Sequence, residues 1–174
     1  MFNLNFKKLL FNGIWNAGGT FTDNPKFNVE TTTVNTDGQN VTVGNSTNES
    51  SAGLWFNTLI HALNNVVVNV TNLDTGHSCF KLGTGTTAPT EEDYDIETEA
   101  SDLVINQATQ TTTATFGKAY NLNITNTGSS AITLREVVQV LRLYNDNDIA
   151  ISRTAVSVSF EPGETKTIMV EVSL

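Results

Sequence analysis

The chain has 174 residues, of which 9 are basic and 18 acidic, for a formal net charge of −9. That balance argues against unassisted binding to nucleic acid or to an anionic membrane surface, because neutralising phosphate takes a basic face. The single cysteine, Cys79, excludes an internal disulfide and a Cys-x-x-Cys zinc site, and reads as a small core hydrophobe.

Residues 1–50 read as an irregular N-terminal arm. Lys7 and Lys8 precede Leu9-Leu10-Phe11, but this apolar core is three residues long. A signal-peptide h-region needs about 7–15, so no cleaved leader is expected. Trp15, Phe21 and Phe27 lie in this weakly patterned arm and are the candidate interface residues, since aromatic side chains dominate binding hot spots. Phe27 to Val34 and Val41 to Val43 flank Asp37-Gly38, the signal of an exposed hairpin with a type I′ turn. Leu54 to Asn64 is the one expected helix, with Leu54, Trp55, Thr58, Leu59, Ala62 and Leu63 on one side. Ser51 is its N-cap, Asn64-Asn65 stops it, and Val66 to Val70 follows as a strand.

The second half is more regular. Phe80 to Leu82 is a short strand that enters a glycine-threonine loop. Leu103 to Gln107, Thr111 to Phe116 and Tyr120 to Thr125 are expected strands, the last with Tyr120, Leu122 and Ile124 on one face. Ile132 to Tyr144 is a long strand whose apolar phase slips. Either a β-bulge near Glu136 to Val138 or burial on both faces accounts for the slip. Ile149 to Phe160 follows, with Val156, Val158 and Phe160 inward. Pro162-Gly163 fits the centre of a type II turn, and Ile168 to Leu174 closes the chain in strict alternation. Strands joined by short turns imply a mainly β fold, an antiparallel β-sandwich of jelly-roll type over residues 51–174 with one short α-helix.

The segment Gly83-Thr84-Gly85-Thr86-Thr87-Ala88 matches the Gly-x-Gly-x-x-Gly/Ala dinucleotide fingerprint. The chemistry behind that fingerprint needs a helix N-terminus facing the pyrophosphate. Here Pro89 follows, and then five carboxylates within residues 91–97, which repel phosphate. The segment is therefore a structural loop, with Gly83, Gly85, Pro89, Asp93 and Tyr94 as its shaping residues. The acidic run lacks EF-hand spacing and its central glycine, so it reads as a solvated loop with Asp93 as a cap rather than a calcium site. His61 and His77 are the only histidines, and no nucleophile motif surrounds any serine or Cys79. No catalytic residue, cofactor or metal is expected. With 27 Thr and 21 Asn, the chain has the composition of an extracellular or virion β-protein.

Residues 54–174 resemble a family of small structural proteins of tailed-bacteriophage particles. The resemblance runs through Leu54-Trp-Phe-Asn-Thr-Leu-Ile-His-Ala-Leu63, the loop Leu82-Gly-Thr-Gly-Thr-Thr-Ala-Pro89, and the acidic Glu92-Asp93-Tyr94. It continues in Ile132-Thr-Leu-Arg-Glu-Val137, in Ile151-Ser-Arg-Thr154, and in Pro162-Gly-Glu-Thr165. It implies a non-enzymatic virion component of tail, collar or fibre, located in the virion and partnered by other virion proteins and by its own copies. The alternatives it leaves open are a capsid decoration protein, such as a head fibre, and a receptor- or carbohydrate-binding module.

Overall fold

A computed structural model describes residues 31–43, 77–112, 117–142 and 147–173, together with Lys7 and Val66. The described chain is mainly strand, and every named strand pairing is antiparallel. β1 (Thr31–Val34) pairs with β2 (Asn40–Val43). β3 (Ser78–Gly83), β6 (Ile132–Arg142) and β7 (Asp148–Phe160) form one three-stranded sheet in the order β3-β6-β7. β4 (Leu103–Thr112), β5 (Gly117–Asn126) and β8 (Thr165–Ser173) form another in the order β4-β5-β8. The expected strand at 103–107 and the first two residues of the one expected at 111–116 thus belong to a single strand, β4, with a register shift between Ile105 and Gln107, and 113–116 lie outside the described residues.

The two three-stranded sheets share one core. Phe80, Leu82, Leu134, Leu141, Ile149, Ile151 and Phe160 come from one sheet, and Leu103, Ile105, Tyr120, Leu122, Ile124, Ile168 and Val170 from the other. The rings of Phe80 and Tyr120 meet edge to face across the gap, 5.0 Å between centroids. Each fully buried aliphatic or aromatic side chain contributes about 1.5–3 kcal/mol relative to exposure, so this shared layer dominates the fold. Gln139 on β6 donates from Nε2 to Ser78 Oγ on the neighbouring β3 at 3.1 Å and, across to the other sheet, to Tyr120 Oη at 3.3 Å. Burial pushes the Tyr120 hydroxyl pKa up, against the Gln139 contact, which lowers it.

Both readings of the phase slip in β6 hold at once. The pairing with β7 shifts register between Leu134 and Glu136, and again between Gln139 and Val140. Leu134 and Val137, three residues apart, therefore both reach the main core, while Val138 and Val140 join Cys79 and Ala150 in a second cluster. The β3-β6-β7 sheet is buried on both faces at its centre. Cys79 is the small core hydrophobe expected: burial, and then the charge of Asp148, push its thiol up to about 12, which keeps it protonated and unreactive.

Gly163 lies at φ +75° and Glu164 N donates to Glu161 O at 3.0 Å, the type II turn read from Pro162-Gly163. The buried Asn126 ties this corner to the preceding one. It exchanges backbone bonds with Gly163 N and Glu164 O, both 2.9 Å, and its side chain donates to Ser130 O at 2.9 Å. The β1–β2 turn is not the two-residue type I′ form expected. Asn35 N donates to Gln39 O at 2.9 Å and Gly38 N to Asn35 O at 3.0 Å, which makes Thr36-Asp37-Gly38 a three-residue connection with left-handed Gly38 last. Asn35 selects this form, because its Oδ1 accepts from Asp37 N and Gln39 N at 3.1 and 2.7 Å. The hairpin is also anchored rather than free: Thr36 N donates to Asp148 O at 2.8 Å, and Val41 packs on the main core.

The helix expected over 54–64, with Trp55 and His61, lies outside the described residues. So do the interface candidates Trp15, Phe21 and Phe27 and most of the strand expected at 66–70. Val66 alone of that strand is described, in a parallel bridge to Ser78.

Candidate functional site

The loop from Thr84 to Glu99 leaves the end of β3 and returns beside it. Its base is closed by Thr84 N donating to Thr98 O and Ala100 N donating to Leu82 O, both 2.8 Å. The loop folds over the outer face of the β3-β6-β7 sheet, where Ile96 packs on the second apolar cluster. Beneath it stand two charged side chains from the centre of that sheet, Glu136 on β6 and Arg153 on β7.

The Glu136 carboxylate is 2% exposed and sits beneath the glycine-threonine loop. Its Oε1 accepts from the backbone N–H groups of Gly85 (3.1 Å), Glu97 (3.0 Å) and Thr98 (3.2 Å). Its Oε2 accepts from Arg153 Nε at 2.8 Å. The glycines make room for it. A Cβ on Gly83 would lie 2.4 Å from Glu136 Oε1, and one on Gly85 would lie 2.4 Å from the same oxygen and 2.5 Å from Glu97 Cβ. Neither glycine has a positive φ, so space and not backbone conformation is the reason for them. The loop does cradle an anion on backbone amides, and that anion belongs to the chain itself.

Arg153, 5% exposed, spends its guanidinium in the same way. Nη1 donates to Asp93 Oδ2 at 2.8 Å and Nη2 to the carbonyl of Thr87 at 3.2 Å, with Glu97 Oε2 3.7 Å away. Burial pulls the Arg153 pKa down, but the Asp93 bond and the charges of Glu136 and Asp93 outweigh it and hold it above its ordinary value. Asp93 also caps its own turn, accepting from Thr90 N at 2.6 Å and Thr90 Oγ1 at 3.0 Å. Partial burial pushes the Asp93 pKa up, while the Thr90 and Arg153 bonds pull it down further, so it lies below the usual carboxylate range. Thr87 N and Oγ1, at 2.8 and 2.9 Å, hold Glu97 below its usual range as well. Lys81 Nζ meets both oxygens of Asp95 at 2.9 Å.

The expected loop residues are thus brought together only in part. Gly83, Gly85 and Asp93 converge on the Glu136–Arg153 pair. Pro89 is half-buried in the loop, and Tyr94 turns outward, 46% exposed, against Gly38 of the hairpin. The acidic run is not simply a solvated loop, because Asp93, Asp95 and Glu97 each face an internal donor. The residues not foreseen are Glu136, Arg153 and Glu97. The local signal for the first two is weak: Glu136 follows the exposed Arg135, and Arg153 stands between Ser152 and Thr154.

A shallow depression of about 470 Å³ lies over this cluster, with Tyr94 and Glu92 at its walls and Arg153 at its floor. Of its lining, Thr87, Thr90, Asp93, Asp95, Glu97 and Arg153 are engaged in the hydrogen bonds and ion pairs described above. Among the described residues no group of three or more His, Cys, Asp or Glu side chains is placed to hold a metal ion. None of the described helical residues forms a segment long and apolar enough to cross a membrane. Comparison with known proteins finds no matching family model, no matching curated protein and no matching solved structure.

The electrostatics predict an acid limb. Asp93 and Glu97 have folded-state pKa values below their unfolded ones, near 4. Their stabilising contribution is therefore complete above the unfolded pKa and is lost as pH falls through the folded one. Melting temperature is expected to hold from pH 7 to about pH 5 and to fall below about pH 4. Asp93→Asn melts lower than the wild type at neutral pH and shows a shallower acid limb. Equal slopes for the two proteins would refute the assignment.

Proposed function

We propose that this chain is a non-enzymatic structural protein of a tailed-bacteriophage particle, associated with tail, collar or fibre and acting by assembly. In this reading the two sheets form a β-sandwich of jelly-roll type, the 54–64 segment supplies one short helix, and the residues before the hairpin form a docking arm. The observation that carries it is the internal filling of the Thr84 to Glu99 loop, whose backbone amides converge on Glu136. Glu136 and Arg153 use that loop to lock the chain into a rigid body, which suits a building block better than a binding or reacting centre. The resemblance of residues 54–174 to particle proteins adds the virion as location and other virion proteins and further copies as partners.

The test is a truncation. Val41 lies against the core, so the cut falls before Thr31, not at residue 50. Particles carrying the full chain or the chain from Thr31 onward are purified and the protein quantified by mass spectrometry, with antibody labelling to locate it. Loss of the truncated form from particles, while its circular-dichroism melt is unchanged, is the expected result. Equal incorporation would overturn the docking role of the arm, and labelling on the capsid surface would favour a decoration protein. A second reading, a receptor- or carbohydrate-binding tip, is favoured by Tyr94, exposed at the wall of the depression. Glycan-array binding that Tyr94→Ala abolishes would support it.

A further inference from the structure

We infer that the outer face of the β4-β5-β8 sheet is a self-association surface, covered in the assembled protein by the same face of a second copy. The sheet registers fix what this face carries. Ile105, Leu122, Ile124, Ile168 and Val170 point to the core, so their alternating neighbours point away. The outward rows are Val104–Thr125–Thr165, Gln107–Asn123–Thr167 and Thr109–Asn121–Met169. None of these nine residues is charged, in a chain of net charge −9. Among the described residues the charges begin beyond the rows, at Asp102 on one side and Glu171 on the other.

Two copies of an acidic chain repel each other, and a buried unpaired charge is costly. A second copy is therefore best met by the face that brings no charge with it. The polar groups in the two rows through Thr125 and Asn123 are mostly paired within the face. Asn106 Nδ2 donates to Asn123 Oδ1 (3.0 Å) and Thr125 Oγ1 (2.7 Å), Asn123 Nδ2 donates to Thr167 Oγ1 (3.2 Å), and Thr125 and Thr165 share a hydroxyl bond of 2.6 Å. Covering them strips little hydration from unpaired donors. Met169, 65% exposed, and Val104, 44% exposed, are two of the three large exposed hydrophobic residues described, and both stand here. Methionine adapts its shape to a facing surface. One patch meeting its own copy gives an isologous, two-fold contact.

The rows cover on the order of 300 Å² in projection, from strands ~4.8 Å apart and ~3.3 Å per residue. A standard interface buries about 800 Å² per partner, so the contact is weak in free solution and strengthens where copies are held side by side. The inference deepens the assembly reading above, but it rests on a different surface, so the two fail separately.

The experiment is cross-linking of the full chain in solution. The native Cys79 is fully buried, which leaves an engineered thiol as the reactive one among the described residues. Met169→Cys is treated with a short bis-maleimide, beside Ser157→Cys on the exposed side of β7 as the collision control. Met169→Cys is expected to form covalent dimer well above the control, and Thr167→Glu added to it is expected to cut the yield by more than about tenfold through like-charge apposition. Added salt leaves the yield level or raises it, because screening weakens only repulsion between these copies. Dimer no more abundant than in Ser157→Cys, or undiminished by Thr167→Glu, overturns the inference. Loss of particle incorporation with dimer retained speaks against the arm and not against this face.

Discussion

Replacing Glu136 with alanine is expected to be the most destabilising single change in the described chain, costing about 3–5 kcal/mol. The magnitude follows from what is left behind. Arg153 would stay buried with its Nε donor unmatched, and the amides of Gly85, Glu97 and Thr98 would lose their common acceptor. Arg153 keeps its Asp93 partner, but a buried charge stripped of one of its two close counter-charges, beside three amides stripped of their acceptor, costs more than the pair gains by forming. For a domain of this size the change corresponds to a fall of roughly 6–20 °C in melting temperature, read by calorimetry or circular dichroism. Arg153→Met, which removes the charge and keeps the bulk, is expected to cost a similar amount, because the buried Glu136 carboxylate then keeps its backbone amides but loses its counter-charge, and Asp93 loses its partner as well. The Glu136→Ala/Arg153→Met double variant should lose much less than the sum, since both charges are gone. Additive losses would show that the two side chains do not act as one unit.

Gly85→Ala is the second large effect, about 3 kcal/mol or more. The added methyl would stand 2.4 Å from Glu136 Oε1 and 2.5 Å from Glu97 Cβ, so neither neighbour yields without breaking a bond to the loop. Overpacking alone typically costs about 1–3 kcal/mol, and the displaced carboxylate adds to it. The diagnostic is the background. In a Glu136→Ala chain one of the two obstructions is absent, and Gly85→Ala is expected to cost markedly less than in the wild type. Gly83→Ala, 2.4 Å from Glu136 Oε1 and 2.5 Å from its Cγ, should behave the same way. A cost that is unchanged by Glu136→Ala would assign the glycines to backbone conformation instead of to space.

Much of the fold was legible because period-two burial is a local signal. β5, β7 and β8 announce themselves through Leu122 and Ile124, through Val156 and Val158, and through Ile168 and Val170. Pro162-Gly163 declares its turn through two residues whose φ preferences leave little choice. β4 reads from the sequence as two strands, because Ala108-Thr109-Gln110 offers one small apolar side chain to the core past a register shift and so looks like a break. The Asp37-Gly38 turn was mistaken because its form is decided by Asn35, two residues upstream of the dipeptide that draws the eye. At the candidate site the sequence showed that the loop suits phosphate badly. It did not show that Glu136, more than fifty residues away, occupies the cradle, since that requires knowing that β3 and β6 are neighbours. Nor does either strand mark the pair locally, since Glu136 follows the charged Arg135 and Arg153 stands between Ser152 and Thr154.

The double-sided burial of β6 has a consequence for how the protein opens. Val137 to Leu141 are buried without a break, with a hydrogen-bonded strand on each side. No partial detachment of one layer exposes their amides, so deuterium should enter them only through global unfolding. The slowest-exchanging amides of β6 therefore report the stability of the whole domain, and the Thr84 to Glu99 backbone should take up label far sooner.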